Sequence, residues 1–290
     1  MFRQKTGSVV CASCGSLVGV NDDKCYTCGR RNPGLWGFGP VLRRFGSDLG
    51  FTTAIVYGCA AIYTLSLLLT VITGGNLLGG SIFSILGPNR AAAISLGASG
   101  AEPVFMYGRW WTVLTAGWLH GGALHILFNI MWVRQLGPAV GDMYGAARMV
   151  IIYTISSITG FFLSSFLAYY TRIPFFSGGF LTLGASAPIF GLLGALVHYG
   201  RRGGSSIVGS TALNYAITMG VFGLIMPGID NSAHLGGFLG GYLASMWLDP
   251  LKPERMDHFV GAAICLLATA IAILVSLITV LPELIRVLNA

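Results

Sequence analysis

Charge is what this 290-residue chain has least of: Asp, Glu, Lys and Arg make up 9% of it, while 54% is hydrophobic and the mean hydropathy is +0.74. A soluble domain carries about 25% charged residues, so the composition excludes an ordinary soluble globular protein. An early apolar segment is also missing. The first fifty residues are polar and cysteine-containing, without the h-region of a secretory signal, and the N-terminus is expected to stay in the cytoplasm. Acidic residues are scarcer than basic ones, ten against seventeen, for a net charge of +7. The basic residues form short clusters between apolar runs, a pattern of membrane topology signals; a nucleic-acid surface is disfavoured. Glycine, by contrast, is abundant at 42 residues, and small residues let membrane helices approach closely. The expected class is an all-α polytopic membrane protein.

Seven apolar stretches can cross a bilayer. The first is "FTTAIVYGCAAIYTLSLLLTVIT" from Phe51, long enough for a hydrocarbon core of about 30 Å. A glycine-rich segment from Gly74 to about Gly108 separates it from the second, "LTAGWLHGGALHILFNIMWVRQLG". Then come "MVIIYTISSITGFFLSSFLAYY", "SAPIFGLLGALVHYG", "SIVGSTALNYAITMGVFGLIM", "NSAHLGGFLGGYLASMWL" and "FVGAAICLLATAIAILVSLITVL". With the N-terminus inside, thirteen basic residues fall inside and four outside (Arg90, Arg109, Arg172 and Arg286). That asymmetry predicts an N-in, C-out topology. The domains expected are a small headpiece at 1–34, a linker at 35–50 around "RNPGLWGFGP", and a seven-helix domain at 51–290.

Two strings carry a serine among small residues, "LGASGAEP" at Ser99 and "LGASAPIFG" at Ser186. From Ser186 to Tyr199, just before Arg201 and Arg202, the helix would be about 21 Å long, which is about 10 Å short of a full crossing. Ser186 is therefore expected below the outer interface. The preceding "FFSGGFLTLGA" must then dip into the membrane as non-helical backbone, which survives only when buried in protein or lining a watery cavity. Ser99 lies in a long loop with no apolar helix after it, and its "GASG" reads as a turn.

Ionisable and amide side chains within apolar spans are costly and usually face a cavity or a partner. Here they are His120, His125 and Asn129 in the second span and His234 in the sixth. His125 and Asn129 are four apart, share a helix face and can both donate hydrogen bonds, as an oxyanion hole requires. Ser186 begins a helix whose free N–H groups and positive dipole end add to that hole, and Pro188 suits a first turn. His234 is the candidate base that takes the serine proton. The pairs Gly236/Gly240 and Gly237/Gly241, with Ala187, Gly191 and Ala195, allow the fourth and sixth helices to pack closely. Asp230 sits just outside His234, so a serine–histidine dyad without a third member is expected.

With these residues in place, the chain resembles the rhomboid family of intramembrane serine proteases over roughly residues 51 to 290. The resemblance rests on "GRWWTVLTAGWLHGGALHILFN", "GASAPIFGLLGA" and "NSAHLGGFLGG", in the family's order. It implies Ser186 as nucleophile, His234 as general base and His125 with Asn129 as oxyanion-stabilising groups. It also implies Phe190 as the aromatic packed on the catalytic histidine, a six-helix core with an appended seventh helix, and no cofactor for catalysis. The expected activity is cleavage of transmembrane protein substrates near the outer face of a plasma or bacterial inner membrane. The alternative is a non-catalytic relative that binds or escorts membrane proteins. One departure is Ala187, where the family usually has glycine.

The headpiece carries Cys11, Cys14, Cys25 and Cys28 in a C-x2-C-x10-C-x2-C pattern. Paired thiolates on two knuckles give tetrahedral zinc ligation, and a cytoplasmic setting disfavours disulfides. A structural zinc in a ribbon-like fold is expected, with a cytoplasmic protein partner as one of its possible roles. Lys24, Arg30, Arg31, Arg43 and Arg44 are candidates for contact with anionic lipid. Cys59 and Cys265 are read as packing residues.

Overall fold

The structure is a computed structural model that describes residues 3–44, 46–78, 85–171 and 177–288. Its headpiece is a hairpin of β1 (Ser8–Val10) and β2 (Leu17–Gly19), antiparallel with Val9 opposite Val18. Val9, Val18 and Val20 pack with Cys11 and Cys25 into a core so small that it needs a staple to hold a fold. The segment expected to be a linker contains a tight turn at Leu35–Gly37 and a five-residue helix at Gly39–Arg43.

Seven long helices follow among the described residues: α1 (Phe51–Ile72), α2 (Ala123–Tyr144), α3 (Ala146–Tyr170), α4 (Ser186–Arg201), α5 (Ser206–Ile225), α6 (Asn231–Trp247) and α7 (Met256–Leu288). By length and composition, α1, α3, α5 and the Met256–Thr279 part of α7 can cross a membrane on their own, and Thr112–Trp118 with α2 makes a fifth, bent candidate. That bend corrects the second apolar span. The chain turns by 94° between Trp118 and Ala123, so one straight helix does not cover the apolar run. His120 lies in the break rather than on a helix, because Gly121 and Gly122 interrupt the helical run and α2 begins only at Ala123.

The shortness of α4 has a physical basis. Its 16 residues make about 24 Å of helix, and every residue from Ala187 to His198 is buried. A helix that meets no lipid has no need to match the bilayer. Ile189, Leu192, Leu193 and Leu196 join Ile55, Val133, Met149, Ile152 and the buried Tyr144 in one core around it. The two glycine stripes of α6 serve different neighbours. Gly237 and Gly241 face α4, where a Cβ would meet the carbonyl oxygens of Ala187 and Gly191, each at 2.1 Å. Gly236 and Gly240 face α3, where a Cβ would meet the Thr159 carbonyl at 2.7 Å and its hydroxyl at 1.9 Å. So α6 is wedged between α3 and α4 with backbone nearly touching backbone on both sides.

Candidate active site

Close packing of α6 on α4 sets two side chains against each other. Ser186 is the first residue of α4 and half-buried; His234 lies in the first turn of α6 and is buried. The imidazole Nε2 of His234 is 2.9 Å from Ser186 Oγ. Phe190, one turn along α4, stacks on the His234 ring with centroids 4.1 Å apart and planes 11° from parallel. That stack and the burial leave the ring little freedom to turn. His234 Nδ1 is buried and finds no hydrogen-bond partner among the described residues.

The neighbouring acid is committed elsewhere. Asp230 caps α6, its Oδ1 accepting from Ala233 N at 3.0 Å and its carbonyl from His234 N at 3.1 Å. Its Oδ2 accepts from the Ser164 hydroxyl, whose oxygen accepts in turn from Gly179 N at 2.9 Å. Asp230 thus fixes the start of the histidine helix and the approach to the serine helix together, without touching the imidazole.

His125 is near the same point. Gly121 N donates to its Nδ1 at 3.2 Å, so the ring proton of the neutral form is on Nε2. A Cβ built on Gly184 would lie 2.6 Å from His125 Nε2 and 3.7 Å from Ser186 Oγ. Having no side chain, Gly184 lets the backbone pass directly against the His125 ring beside Ser186, and its φ of +126° favours glycine as well. Ala185 caps α4 without a side-chain hydrogen bond, so first-turn N–H groups remain available to a ligand. Asn129 is buried on the same helix, its amide donating to the His125 carbonyl at 2.8 Å. His120 is buried beside them, its ring edge-on to His125 at 5.2 Å.

The backbone ahead of Ser186 is non-helical and pinned to protein. Of "FFSGGFLTLGA", Phe175 and Phe176 lie outside the described residues, as does Arg172. Thr182 exchanges both backbone hydrogen bonds with Ser99, at 2.9 and 2.8 Å. Ala101 N donates to Gly179 O, Gly184 N to Ala116 O, and Gly178 N to the Ser232 hydroxyl. Ser99 itself is fully buried and touches Thr112 Oγ1 at 3.3 Å, and among the described residues no histidine is hydrogen-bonded to its hydroxyl. Its place is a bridge under the Ser186 loop. Sequence reasoning missed Thr182, Ser164, Ser232 and Gly184. Only Gly184 had a local signal, a glycine two before the candidate serine.

The headpiece brings its four thiols together, with all sulfurs within 4.8 Å of one another. Cys11 and Cys28 sulfurs are 3.8 Å apart, and those of Cys14 and Cys25 are 3.7 Å apart. Zinc–sulfur bonds of about 2.3 Å in a tetrahedron put sulfurs about 3.8 Å apart, so the donor set fits a zinc ion. Burial pushes the Cys28 thiol up to about 12. At Cys14 burial also acts upward, but hydrogen bonds from Ser16 outweigh it and bring the thiol to about 6. Arg30, one of the residues expected to reach lipid, is buried at 5% exposure and is not available for that contact.

A family model described as Rhomboid domain matches residues 107–251, a stretch that includes His125, Asn129, Ser186 and His234. Over 185 residues the chain is 31% identical to Rhomboid protease GluP of Bacillus subtilis (strain 168), covering 63% of this chain and 34% of that protein. Over 172 residues it is 29% identical to RHOMBOID-like protein 7 of Arabidopsis thaliana, covering 57% of this chain and 51% of that one. Over 152 residues it is 33% identical to YdcA of Bacillus subtilis (strain 168), named as a candidate rhomboid protease, covering 51% of this chain and 71% of that protein. The chain thus spans about a third of GluP's length and about half of the Arabidopsis protein's.

Proposed function

The chain is a member of the rhomboid family, and from that premise we propose that it is an intramembrane serine endopeptidase with Ser186 as nucleophile and His234 as general base. The observation that carries the reading is the 2.9 Å approach of His234 Nε2 to Ser186 Oγ, in a stretch the family model covers. Ser186 Oγ attacks the scissile carbonyl carbon as its proton passes to Nε2. The carbonyl becomes an oxyanion at the Ser186 end of α4. There the His125 Nε2–H, the Asn129 amide N–H not given to the His125 carbonyl and first-turn N–H groups of α4 can donate. Collapse returns the proton to the leaving amine and leaves an ester on Ser186. Water attacks that ester with His234 again as base, releasing the acid and restoring the serine.

Substrates are transmembrane proteins whose helix unwinds locally near the outer face, since an intact helix hides its carbonyls in hydrogen bonds. The topology is N-in, C-out, and the three parts are the ribbon at 1–34, the linker at 35–50 and the membrane domain at 51–290. Zinc is held by Cys11, Cys14, Cys25 and Cys28, where it organises the ribbon and takes no part in hydrolysis.

The test is labelling of the detergent-solubilised protein by a fluorophosphonate, together with cleavage of a single-pass substrate in proteoliposomes. Both are expected to vanish in Ser186→Ala, to collapse in His234→Ala and to persist in Ser99→Ala. A folded wild type that neither labels nor cleaves, beside an active rhomboid control, would overturn the reading in favour of a non-catalytic binder.

A further inference from the structure

The second cysteine knuckle ends in Arg30, a buried cation with an unusual set of neighbours. Its guanidinium carbon lies 4.5 Å from the centroid of the Phe259 ring. Nη1 donates to Ser13 Oγ at 2.7 Å, and Nη2 points at Met256 Sδ at 3.6 Å. The Ser13 hydroxyl donates in turn to the Glu254 carbonyl oxygen at 2.5 Å. Ser13 stands between Cys11 and Cys14, and Arg30 follows Cys28 by two places. One clasp therefore draws on both knuckles. The residues that receive it, Glu254, Met256 and Phe259, form the entry to α7. Glu254 is itself held at the base of α3, where its carboxylate accepts from Arg148 N at 3.0 Å.

The outer end of the Met256–Thr279 span of α7 is also tied by polar contacts. Trp111 Nε1 donates to Ser276 Oγ at 3.0 Å and Arg109 Nη2 to Thr279 Oγ1 at 3.2 Å. Between these ends α7 is apolar and largely exposed, with 22% of its most hydrophobic window buried. In lipid an apolar helix gains nothing from the hydrophobic effect by touching its neighbours, so packing and polar contacts decide where it sits. Clasps at the two ends are what fix its rotation and depth.

We propose that the metal-organised ribbon is the inner-end clasp of α7: the surface made by Glu254, Met256 and Phe259 recognises the paired knuckles through Ser13 and Arg30. Seated there, the ribbon holds α7 against α3 and against the outer loop that Arg109 and Trp111 tie down. Metal enters because so small an apolar core does not hold both knuckles in register by itself. Once they separate, Arg30 loses Ser13, and an arginine left buried without partners is costly enough to leave the seat. The inference rests on the metal assignment and is independent of the protease reading.

Hydrogen exchange read by mass spectrometry, on the full chain in nanodiscs, tests it. The zinc-loaded wild type is compared with chelated protein and with Arg30→Ala, Arg30→Lys and Phe259→Ala. Both alanine variants should keep one zinc per chain, yet exchange severalfold faster at 254–262 and at 109–115. Chelation should do the same and also expose the ribbon. Arg30→Lys should not restore protection, because an ammonium cannot meet Ser13 and Met256 while covering the ring. Unchanged exchange in α4 shows that the bundle stays folded. Unaltered protection at 254–262 in Arg30→Ala, or in protein that carries no metal, would overturn the clasp. Faster exchange at 254–262 with none at 109–115 would overturn its reach along α7. Failure of the protease reading would appear only as absent serine labelling, which none of these measurements uses.

Discussion

Gly237 lies directly against the Ala187 carbonyl: a Cβ at Gly237 would stand 2.1 Å from that oxygen. Ala187 follows Ser186, and Gly237 is one turn past His234, so this backbone contact sets the distance between the two side chains proposed to react. Gly237→Ala should push α6 away from α4. Overpacking of this kind costs about 1–3 kcal/mol, and the 2.9 Å approach should be lost with it. Fluorophosphonate labelling is expected to fall at least about tenfold, with a lower melting temperature. Gly220→Ala on α5, where a Cβ meets nothing within 4 Å, should be neutral or stabilising by up to about 1 kcal/mol. Equal behaviour of the two variants would sink the argument.

Ala187 itself is accommodated by a second glycine. A Cβ on Gly160 of α3 would fall 2.8 Å from the Ala187 methyl and 2.7 Å from the Ala233 carbonyl. The methyl that departs from the family's usual glycine thus fills space that Gly160 leaves open. Ala187→Gly is expected to keep labelling, at a cost of about 1 kcal/mol or less in helix propensity. Gly160→Ala should destabilise markedly. Adding Ala187→Gly should recover part of the loss, since the Ala233 contact remains. Thermal melts of the two single variants and the double variant measure this coupling; strict additivity would disprove the pairing.

Much of this was written locally. Apolar runs announced the helices, and "SAPIFGLLGALVHYG" with Arg201 close behind was visibly too short to cross alone. The glycine repeats of α6 were equally plain, but a stripe shows only that some neighbour is close. Its division between α3 and α4 appears only in the fold. The second span misled because hydrophobicity continues across the break at 119–122; Gly121 and Gly122 were the available warning. Ser99 and Arg30 were opaque for another reason. Their partners, Thr182 and Phe259, are remote in sequence, and no periodicity records such pairings.

The Ser99–Thr182 bridge separates a backbone role from a chemical one. Ser99→Ala keeps both backbone hydrogen bonds, and Thr112 still donates to the Arg109 carbonyl. A cost of about 1 kcal/mol or less is expected, with labelling retained. Thr182→Pro removes the N–H that donates to Ser99 O at 2.8 Å and orphans a buried carbonyl, at about 1–3 kcal/mol. Its loop leads straight to Ser186, so labelling should fall sharply while the helical circular dichroism stays. Loss of labelling in Ser99→Ala with the fold intact would mean that the serine does more than hold the bridge.

Zinc held by the four cysteines would be bound by thiolates, and the metal-free thiols do not all start as such. The Cys28 thiol, pushed up to about 12, is protonated at neutral pH, whereas Cys14 at about 6 is largely ionised. Binding at pH 7 therefore releases at least the Cys28 proton, and affinity should rise with pH. Each proton released corresponds to about tenfold in affinity per pH unit. Competition titrations with a chromophoric chelator between pH 6 and 8 should show that slope, and Cys28→Ser should weaken binding severely. A flat profile would mean that the four sulfurs are already ionised or do not bind as a set. Removing the metal should unfold residues 8–31 and leave α4 and α6 packed, because Gly237 and Gly241 need nothing from the ribbon to sit against Ala187 and Gly191.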